Sequence, residues 1–583
     1  MNIDIQSFIR LAGNIFDELG VNTGTILDDT GKSLILRNVV EKEKDLLEIF
    51  GGKINKPGFI EELKSTISEF YQYGIDKEEL DSLINNSELK PLLRAKLKDV
   101  AIIFSAFEKY IGQDYIPSEE LLKVLCQYIE ESEIVKNSEF YIDGFTGFTP
   151  IQYEVLEKLI KCSKKVTVTL TLPSYKVNET RELEQDLFLM SVKTKNKLLR
   201  LATELGADIC KPVIMDDKEP IRFKNSGMLS FLEKNIFRYS KAEYENNEND
   251  IEIFAAQNPK DEVANVVLRI KELVRSDNYR YNEIAVVTGD IESYYRLIEK
   301  EFANADIPCF VDNKKSIITN PFVEAIRGII QMIEEDFSYE SIFRYLRTGM
   351  SNLTIEEVDV LENQVLAMGI RGYKKWSCEW YDVSDKINDI RQRIVEDFEP
   401  LKLGLGKGKY KVKHICTVLY EFISATKMED KLNRYLNKFE EDNSLDLVKE
   451  YSQVYAYVMD LFDKIVSLMG NEELKLSEFA DILDSGFEEI EVGVIPMSVD
   501  SVVAGDIQRT RLSNVKALFF IGVNDGIVPK VSATGGILNE TDRNNLSKVD
   551  IELAPSAKEN AFIQKFYLYL NMTKPKKDRK SVV

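Results

Sequence analysis

The sequence is poor in the residues on which most metal and redox sites depend. It contains a single histidine, His414, and six cysteines that lie tens of residues apart without a CxxC pair. One histidine excludes most zinc sites and histidine-based catalytic schemes within this chain. Scattered cysteines indicate buried thiols in a reducing cytoplasm, and they offer no ligand set for a metal ion or an iron–sulfur cluster.

Long hydrophobic runs and an excess of positive charge are also missing. No segment approaches the roughly 18 uninterrupted apolar residues of a membrane-spanning helix, and the N-terminus lacks the pattern of a signal peptide. The 76 basic and 98 acidic residues give a formal charge of −22, which argues against broad nonspecific adhesion to nucleic acid. We therefore predict a cytoplasmic protein without a membrane partner, in which phosphate contacts are confined to local patches.

What is present is a long chain with enough apolar residues for several cores. The 583 residues suggest about three or four domains. Hydrophobic spacing predicts helices through most of residues 1–135 and 321–490, and alternating strands and helices at 139–204 and 251–311. A polar stretch at 241–250 separates the two alternating regions. The fold class is therefore α/β, with two parallel-sheet lobes and large all-helical insertions.

These changes of pattern predict the first lobe at 136–242, the second lobe at 251–330 and 491–577, and the insertion of the second lobe at 331–490. The family resemblance described below adds part of the first lobe at 1–30, its helical insertion at 31–135 and a non-native tail at 578–583.

The segment TGTILDDTGKS superficially resembles a phosphate-binding loop. The pattern GxxxxGK[ST] requires glycine where Ile26 stands, no strand is predicted before it, and Asp28 and Asp29 would repel phosphates. We interpret the segment as a loop leading into a helix that starts near Lys32.

The stretch EFYIDGFTGFTPIQ is the strongest candidate for a ligand site. Its apolar run ends at Asp143, and the carboxyl end of a parallel strand lies at the crevice where open α/β sheets bind ligands. Magnesium prefers one or two carboxylates together with phosphate oxygens, so Asp143 is a candidate magnesium contact in a nucleotide cleft. The alternative is that Asp143 and Gly144 simply form a turn after the strand.

Two further stretches carry candidate phosphate contacts. The lysine-rich stretch LKLGLGKGKYKVKH has no acidic residue and is either a phosphate-tracking loop or a solvated flexible loop. Its candidate DNA-binding residues are Lys407, Lys409, Tyr410, Lys411 and Lys413. In SVVAGDIQRTR, Arg509 and Arg511 either clamp phosphates or pair with Asp506 within the loop.

Several motifs, taken in order, resemble one family. They are YIDGFTGFTPIQ, DLFLMSVKTKNKLLRLATELG, LEKNIF, NPKDEVANVVLRIKELV, YRYNEIAVVTGD, IPCFVDNKKSIITNPFVEAI, FRYLRTGM, LENQVLAMGIRGYKKW, GDIQRTRLSNVKALFFIGVNDGIVPK and FYLYLNMTKP. The chain thus resembles AddB, also called RexB, the B subunit of the bacterial ATP-dependent helicase/deoxyribonuclease. The resemblance implies two RecA-like motor lobes of the superfamily 1 helicase type.

The resemblance also implies roles for individual residues. It makes Asp143 the magnesium-contacting aspartate, while Gly144 replaces the general base, so that no catalytic residue is assigned. Pro173 stands near the place of a missing GDxxQ turn, and Lys574 replaces an arginine that usually contacts the γ-phosphate. The candidates for the nucleotide and magnesium cleft are Asp143, Gln152, Arg509, Arg511 and Lys574.

The family's phosphate-binding loop and its nuclease domain, with metal-binding carboxylates and an iron–sulfur cluster, have no counterpart motif in this sequence. We therefore expect a degenerate, non-hydrolytic helicase core that binds DNA and contributes to recognition of the Chi sequence. The implied partners are an A subunit of the AddA or RexA type, in a heterodimer, and single- and double-stranded DNA ends; ATP and magnesium would serve the parent complex. Two alternatives remain open: an active superfamily 1 DNA-dependent ATPase, and a helical scaffold that does not bind DNA.

Overall fold

The computed structural model describes nearly the whole chain. The residues outside the description are 1, 2, 23, 55, 57, 113, 216–220, 224, 225, 239, 247–249, 443, 494–499, 511, 513, 529, 531–535, 550, 576–580 and 583. Arg511, one of the predicted cleft residues, is therefore outside the described residues.

The first 242 residues are mainly helical and contain two small parallel sheets. Their elements are α1 (Phe8–Leu19), β1 (Thr25–Leu27), α2 (Asp29–Glu43), α3 (Phe59–Tyr73), α4 (Lys77–Asn85), α5 (Pro91–Ile111), β2 (Tyr115–Pro117), α6 (Leu121–Tyr128), α7 (Glu133–Asn137), β3 (Glu139–Ile142), α8 (Pro150–Cys162), β4 (Lys165–Val168), α9 (Leu189–Glu204) and α10 (Gly227–Asn235).

Strands β3 and β4 run parallel and are joined by the crossover helix α8, as the sequence pattern predicted. Ile142 lies opposite Val168 at the carboxyl end of the pair. Strand β4 stops at Val168 and β3 stops at Ile142, so the ladder between the two strands ends at this pair. Helices α1, α6 and α8 build the core beside this sheet.

The region around Gly31 differs from its prediction. A strand, β1, does precede it and pairs in parallel with β2, and the helix α2 begins at Asp29 and not near Lys32. The Asp28 side chain caps this helix by accepting a hydrogen bond from the Gly31 backbone N–H at 2.9 Å. The prediction failed because β1 is only three residues long and its partner lies far along the chain.

The second part of the chain contains a larger sheet, interrupted by a helical insertion. Its elements are β5 (Ile251–Glu252), α11 (Pro259–Ser276), β6 (Ile284–Thr288), α12 (Ile291–Asn304), β7 (Cys309–Val311), β8 (Lys315–Ser316), α13 (Pro321–Glu334), α14 (Tyr339–Leu346), α15 (Ile355–Met368), α16 (Tyr373–Ser377), α17 (Asp385–Gly404), β9 (Lys409–Lys411), α18 (Val412–Ala425), α19 (Met428–Glu441), α20 (Leu445–Met469), β10 (Glu473–Lys475), α21 (Leu476–Glu489), β11 (Glu491–Val492), β12 (Val502–Asp506), β13 (Ala517–Ile521), α22 (Glu540–Ser547), α23 (Ala557–Met572) and β14 (Ser581–Val582).

Six parallel strands form the sheet of the second lobe in the order β5-β14-β13-β6-β12-β7. Every residue of β6 and β13 is buried, because α11 and α12 cover one face and α23 helps to cover the other. This sheet is separate from β3 and β4, so the predicted α/β fold with two parallel-sheet lobes and helical insertions is confirmed. The tail was left out of the predicted fold, whereas the structure pairs β14 with β5 and β13.

The two helical insertions pack against each other. Helix α2 lies along α21, and Leu34 joins the core of the second insertion. Glu489 receives hydrogen bonds from Lys64 at 2.5 Å and from Ser33 at 2.8 Å. The first insertion also packs against α22, where Arg543 forms a two-pronged ion pair with Glu69. No described helix combines the length and the apolar character needed to cross a bilayer.

Candidate functional site

Asp143 lies at the carboxyl end of β3, as predicted, and its side chain is exposed. One of its carboxylate oxygens accepts a hydrogen bond from the hydroxyl of Thr169, the residue after β4. Gly144 follows with a φ of 78°, a backbone conformation that side-chain-bearing residues rarely adopt. A residue with a side chain at position 144 would therefore be strained.

The role of Asp143 as a magnesium contact stays a prediction. Magnesium held against phosphates takes one or two carboxylates, and Asp143 is a single exposed carboxylate that also accepts a hydrogen bond from a hydroxyl. Within the described residues there is no group of three or more histidine, cysteine, aspartate or glutamate side chains arranged to hold a metal ion.

The Gln152 side chain caps the start of helix α8. Its side-chain oxygen accepts a hydrogen bond of 3.0 Å from the Thr149 backbone N–H and closes the capping box of α8. The sequence contained this signal, since threonine followed three residues later by glutamine is the usual form of that box. The structure therefore does not group Gln152 with Asp143 as a ligand.

Helix α23 connects the segments that follow β3 and β12. The Tyr567 hydroxyl lies 3.3 Å from the Thr146 hydroxyl, in the loop after Asp143. Four residues further along α23, the Asn571 amide donates to the Ile507 carbonyl at 2.7 Å, in the loop after β12. The two predicted cleft segments are thus brought to the same helix, one from each lobe.

Arg509 is exposed but has a partner in the second lobe. Its guanidinium donates to the backbone carbonyl of Asp312 and lies 3.4 Å from the Asp312 carboxylate. The alternative prediction, an ion pair between Arg509 and Asp506, is wrong, because the guanidinium pairs with Asp312. Asp506 instead accepts hydrogen bonds from the backbone N–H groups of Gln508 and Arg509. The pairing with Asp312, which follows β7, could not be predicted from spacing within the loop.

Lys574 is half-buried just beyond the end of α23. Its backbone N–H donates to the Asn571 carbonyl at 3.0 Å, and the neighbouring Thr573 carbonyl accepts a hydrogen bond of 3.0 Å from Arg222. Lys574 thus lies on the same helix end that contacts the loop after β12.

The carboxyl edge of the second sheet is mostly acidic. Asp506 ends one of its strands, and Asp312 directly follows another. Asp290 lies two residues beyond β6, and Asp525 lies four residues beyond β13. Asp290 caps α12 by accepting from the Ser293 backbone N–H at 3.3 Å.

The lysine-rich stretch is more ordered than a solvated loop. Lys409–Lys411 form β9, which pairs antiparallel with β10 so that Lys409 lies opposite Lys475 and Lys411 opposite Glu473. The alternation of a strand sends both lysines outward and Tyr410 inward. The Tyr410 hydroxyl accepts from the Gly406 N–H at 2.9 Å, and its ring stacks on His414 with centroids 5.7 Å apart. Tyr410 is therefore half-buried and held by packing contacts, and its role in binding DNA stays a prediction.

We call Lys407, Lys409, Lys411 and Lys413 the hairpin lysines. All four are exposed, and none has a side-chain ion pair or hydrogen bond with any described residue. Lys475 extends the set across the hairpin and was missed in the sequence, because its partner strand is more than sixty residues away.

Lys32, in the segment that superficially resembled a phosphate loop, cannot reach a phosphate. It is fully buried, and its ammonium contacts Glu119 at 2.6 Å, Asp29 at 2.7 Å and Ser68 at 3.0 Å. The interpretation of this segment as something other than a phosphate loop thus agrees with its packing.

Comparison with known proteins covers both halves of the chain. The family model of the UvrD-like helicase C-terminal domain matches residues 224–524, and that of ADDB, N-terminal, matches residues 1–233. The chain is 44% identical, over 98% of its length, to the B subunit of the ATP-dependent helicase/deoxyribonuclease from Lachnoclostridium phytofermentans, of which it covers 51%. It is 37% identical, over 99% of its length, to the protein of that name from Clostridium novyi, of which it covers 51%. For the protein of that name from Caldanaerobacter subterraneus subsp. tengcongensis the identity is 34% over 98% of the chain and 50% of the relative.

The chain thus spans about half the length of these relatives. The two family models follow one another along the sequence in the order that the motifs predicted, and the two lobes with their insertions agree with both. The chain therefore belongs to the UvrD-like helicase family and, within it, to the B subunits of ATP-dependent helicase/deoxyribonucleases that its motifs indicated.

Proposed function

We propose that this chain is the DNA-holding, helicase-like core of a B subunit in an ATP-dependent helicase/exodeoxyribonuclease that resects double-strand breaks for recombinational repair. The relatives' names support a role alongside another subunit, which we propose to be an A subunit of the AddA type. Recognition of Chi on one strand would be part of the same role. ATP and magnesium would act in the parent complex.

The observation that carries this proposal is the hairpin on the second-lobe insertion. The four hairpin lysines face solvent without a described ion pair, within seven residues of one another, in a chain whose formal charge is −22. Neutralising phosphates releases counterions, and this is the main source of affinity for DNA. Lysines on a strand, held by a partner strand and an inward tyrosine, supply such contacts without a large ordering cost.

The cleft between the lobes supports holding without hydrolysis. Asp143 is tied to Thr169, Gly144 occupies the place of a base, and Arg509 is paired with Asp312. A phosphoryl-transfer site depends on positioned cations and a residue that orients water. We therefore propose that this chain does not hydrolyse ATP by itself.

Fluorescence anisotropy with a labelled DNA duplex, measured over a series of salt concentrations, tests the DNA-binding part. The wild-type chain should bind with a logarithmic salt slope that falls by about 1.8 in the variant Lys409→Ala/Lys411→Ala, because each phosphate contact contributes about 0.9. Absence of binding even at low salt would favour the helical scaffold.

Phosphate release in the presence of single-stranded DNA tests the second part. The chain should show no turnover above background at any magnesium concentration. DNA-stimulated turnover that survives Asp143→Ala would point to a contaminant, whereas turnover abolished by that change would establish the active ATPase and overturn our assignment.

A further inference from the structure

A second group of basic side chains lies on α16 and the turn before it. Arg371 and Lys374 are exposed, and neither has a side-chain hydrogen bond or ion pair with a described residue. Lys375 donates to the Gly369 carbonyl at 3.2 Å, at the end of α15. We call Arg371, Lys374 and Lys375 the α16 strip.

The aromatic residues of this segment face inward and fix the strip in place. Trp376 is 1% exposed, and the Tyr373 ring packs on Phe337 with centroids 4.8 Å apart. Gly372, just before the helix, has a φ of 82°, which allows the sharp turn into α16. The sequence RGYKKW thus alternates basic residues that point to solvent with rings that point to the core.

The α16 strip and the hairpin lysines flank the same helix end. In the last turn of α17, the Lys402 ammonium lies 5.6 Å from the centroid of the Tyr373 ring. Two residues later the Gly404 carbonyl lies 3.0 Å from Nε2 of His414, which directly follows the hairpin lysines. The carboxyl end of α17 therefore lies between the two basic groups.

Acidic groups also lie next to these elements, and two of them, Glu41 and Asp481, line a cavity together with Lys409. Asp336 pairs with Lys402 at 3.0 Å, Glu473 lies opposite Lys411, and Glu478 binds the Lys475 backbone N–H. Burial, together with the nearby charge of Glu399, raises the pKa of Tyr373. Against these carboxylates stand the α16 strip, Lys402, the hairpin lysines and Lys475. A local group of basic side chains in a chain of charge −22 can attract a polyanion although the chain as a whole is acidic.

We propose that the α16 strip and the hairpin lysines form one continuous track, around the end of α17, for the sugar–phosphate backbone of duplex DNA. This inference rests on the proposed DNA-holding function and extends it to residues and a form of DNA that the function alone does not specify. Tyr373, Trp376 and Tyr410 all face inward, whereas proteins that grip single strands usually offer rings on which bases stack. Basic groups whose neighbouring rings Tyr373, Trp376 and Tyr410 face inward fit a paired duplex, in which the bases are already stacked.

The test compares three double variants of the full chain in salt-dependent anisotropy with a labelled duplex. Arg371→Ala/Lys374→Ala should lower the logarithmic salt slope by about 1.8, the same as Lys409→Ala/Lys411→Ala, and the variant carrying all four changes should show the sum. Between 50 and 200 mM salt, the wild type should then lose about tenfold more affinity than Arg371→Ala/Lys374→Ala. Lys464→Ala/Lys558→Ala is the matched control, since it removes the same charge from lysines paired with Asp28 and Glu184.

Each outcome bears on a different step. If the wild type binds and only the hairpin variant changes the slope, the extension to α16 is wrong while the proposed function stands. If the control lowers the slope as much as the α16 variant, net charge and not a track is responsible, and the inference fails. If the wild type does not bind, the proposed function itself fails.

Two further variants separate the track from effects on the fold and from binding of single strands. Arg371→Lys/Lys374→Arg keeps both charges and should retain the wild-type slope; loss of the slope here would show that the alanine variant acts through the fold. Tyr381, which is 80% exposed close to this segment, is the ring that could stack on a base. Tyr381→Ala should leave duplex binding unchanged. If the wild type binds single strands more tightly than duplex, and Tyr381→Ala weakens that binding, the ligand of the track is a single strand and the proposal of a duplex is wrong.

Discussion

The two parallel sheets of this chain differ in how fully they are enclosed. In β6 and β13 every residue is buried, with apolar clusters on both faces of the sheet. In β3 only Ile142 is buried, and Tyr141 is 63% exposed. Parallel strands are normally covered on both faces, so the second sheet is a self-sufficient core and the first is not.

The difference shows where the first part of the chain obtains its stability. Its larger apolar cluster lies in the insertion, from α2 to α5, and includes Leu538 and Leu546 from the second part. A contact of this kind joins the two parts through their helices and not through their sheets. We therefore expect substitutions in the second sheet and at charges buried among the helices to matter most, and substitutions at the first sheet to matter least.

Phe519→Ala against Tyr141→Ala tests the contrast between the sheets most directly. Phe519 is fully buried in β13, so its truncation should lower the free energy of unfolding by about 3–5 kcal/mol. Truncation of the exposed Tyr141 should lower the free energy of unfolding by no more than about 0.5 kcal/mol. Urea unfolding followed by circular dichroism and tryptophan fluorescence measures both, and comparable losses would contradict the contrast.

Lys32→Met tests a charge buried within the first insertion. The change leaves the Glu119 carboxylate buried without its cation, at a cost of about 3 kcal/mol in the free energy of unfolding. Burial alone would raise the pKa of Glu119, but the hydrogen bond and charge of Lys32 hold it below its ordinary value. The ion pair therefore stabilises the fold above a pH of about 4.5 and loses this effect as pH falls through the folded pKa.

The cost of Lys32→Met should consequently shrink in acid, since a protonated Glu119 no longer needs a cation. Lys44→Met, at an exposed pair with Glu41, is the matched control and should change stability by less than about 0.5 kcal/mol. Urea midpoints at pH 7 and pH 4 measure both variants. A cost that is the same at both pH values would show that Lys32 acts through packing alone.

Lys431→Met tests a charge buried within the second insertion, and here we expect the substitution to increase the free energy of unfolding. Lys431 is 3% exposed, and its ammonium donates to the Met350 carbonyl at 2.9 Å. Burial lowers its pKa to about 8, against the opposing charge of Asp397 and together with the like charge of Arg434. At pH 7 methionine should therefore stabilise the fold by about 2 kcal/mol, after allowing for the lost hydrogen bond.

The pH dependence of Lys431→Met follows from the lowered pKa. Between pH 8 and 10.5 the unfolded chain keeps the proton that the folded chain has released, so wild-type stability rises with pH in this window. The advantage of methionine should fade over the same window. Urea midpoints at pH 7, 9 and 10 measure it, and a variant that is less stable than wild type at pH 7 would show that the hydrogen bond to Met350 outweighs the buried charge.

The sequence predicted the elements whose signals are local. The alternation of strands and helices predicted at 251–311 is present, with α11 following its capping Asn258 and beginning at a proline. Strand β6, within the same range, is an apolar run between turn residues. The sequence did not predict β9 as a strand, because a three-residue strand depends on β10, which comes more than sixty residues later.

The candidate site divides in the same way. The position of Asp143 at a strand end was predictable from the apolar run before it, and the structure places it there. The partners of Arg509 and Asp143 were not, because Asp312 and Thr169 reach them only through the fold. Gln152 could have been assigned to a helix cap from its spacing to Thr149.

Asp143→Ala is expected to have the smallest effect on stability, and it tests whether the loop after β3 contacts DNA. The side chain is exposed and bound only by the Thr169 hydroxyl among the described residues, so the free energy of unfolding should change by less than about 0.5 kcal/mol. The same substitution at Asp99 is the control, since that buried carboxylate accepts hydrogen bonds from the backbone N–H groups of Glu48, Ile49 and Phe50, and its loss should cost about 3 kcal/mol.

DNA affinity of Asp143→Ala, measured by anisotropy, should equal that of the wild type, because the hairpin lysines belong to the other lobe's insertion. A large loss of DNA binding with the fold intact would place the strand path through the cleft, and the loop after β3 would then hold DNA and not a vestigial nucleotide position.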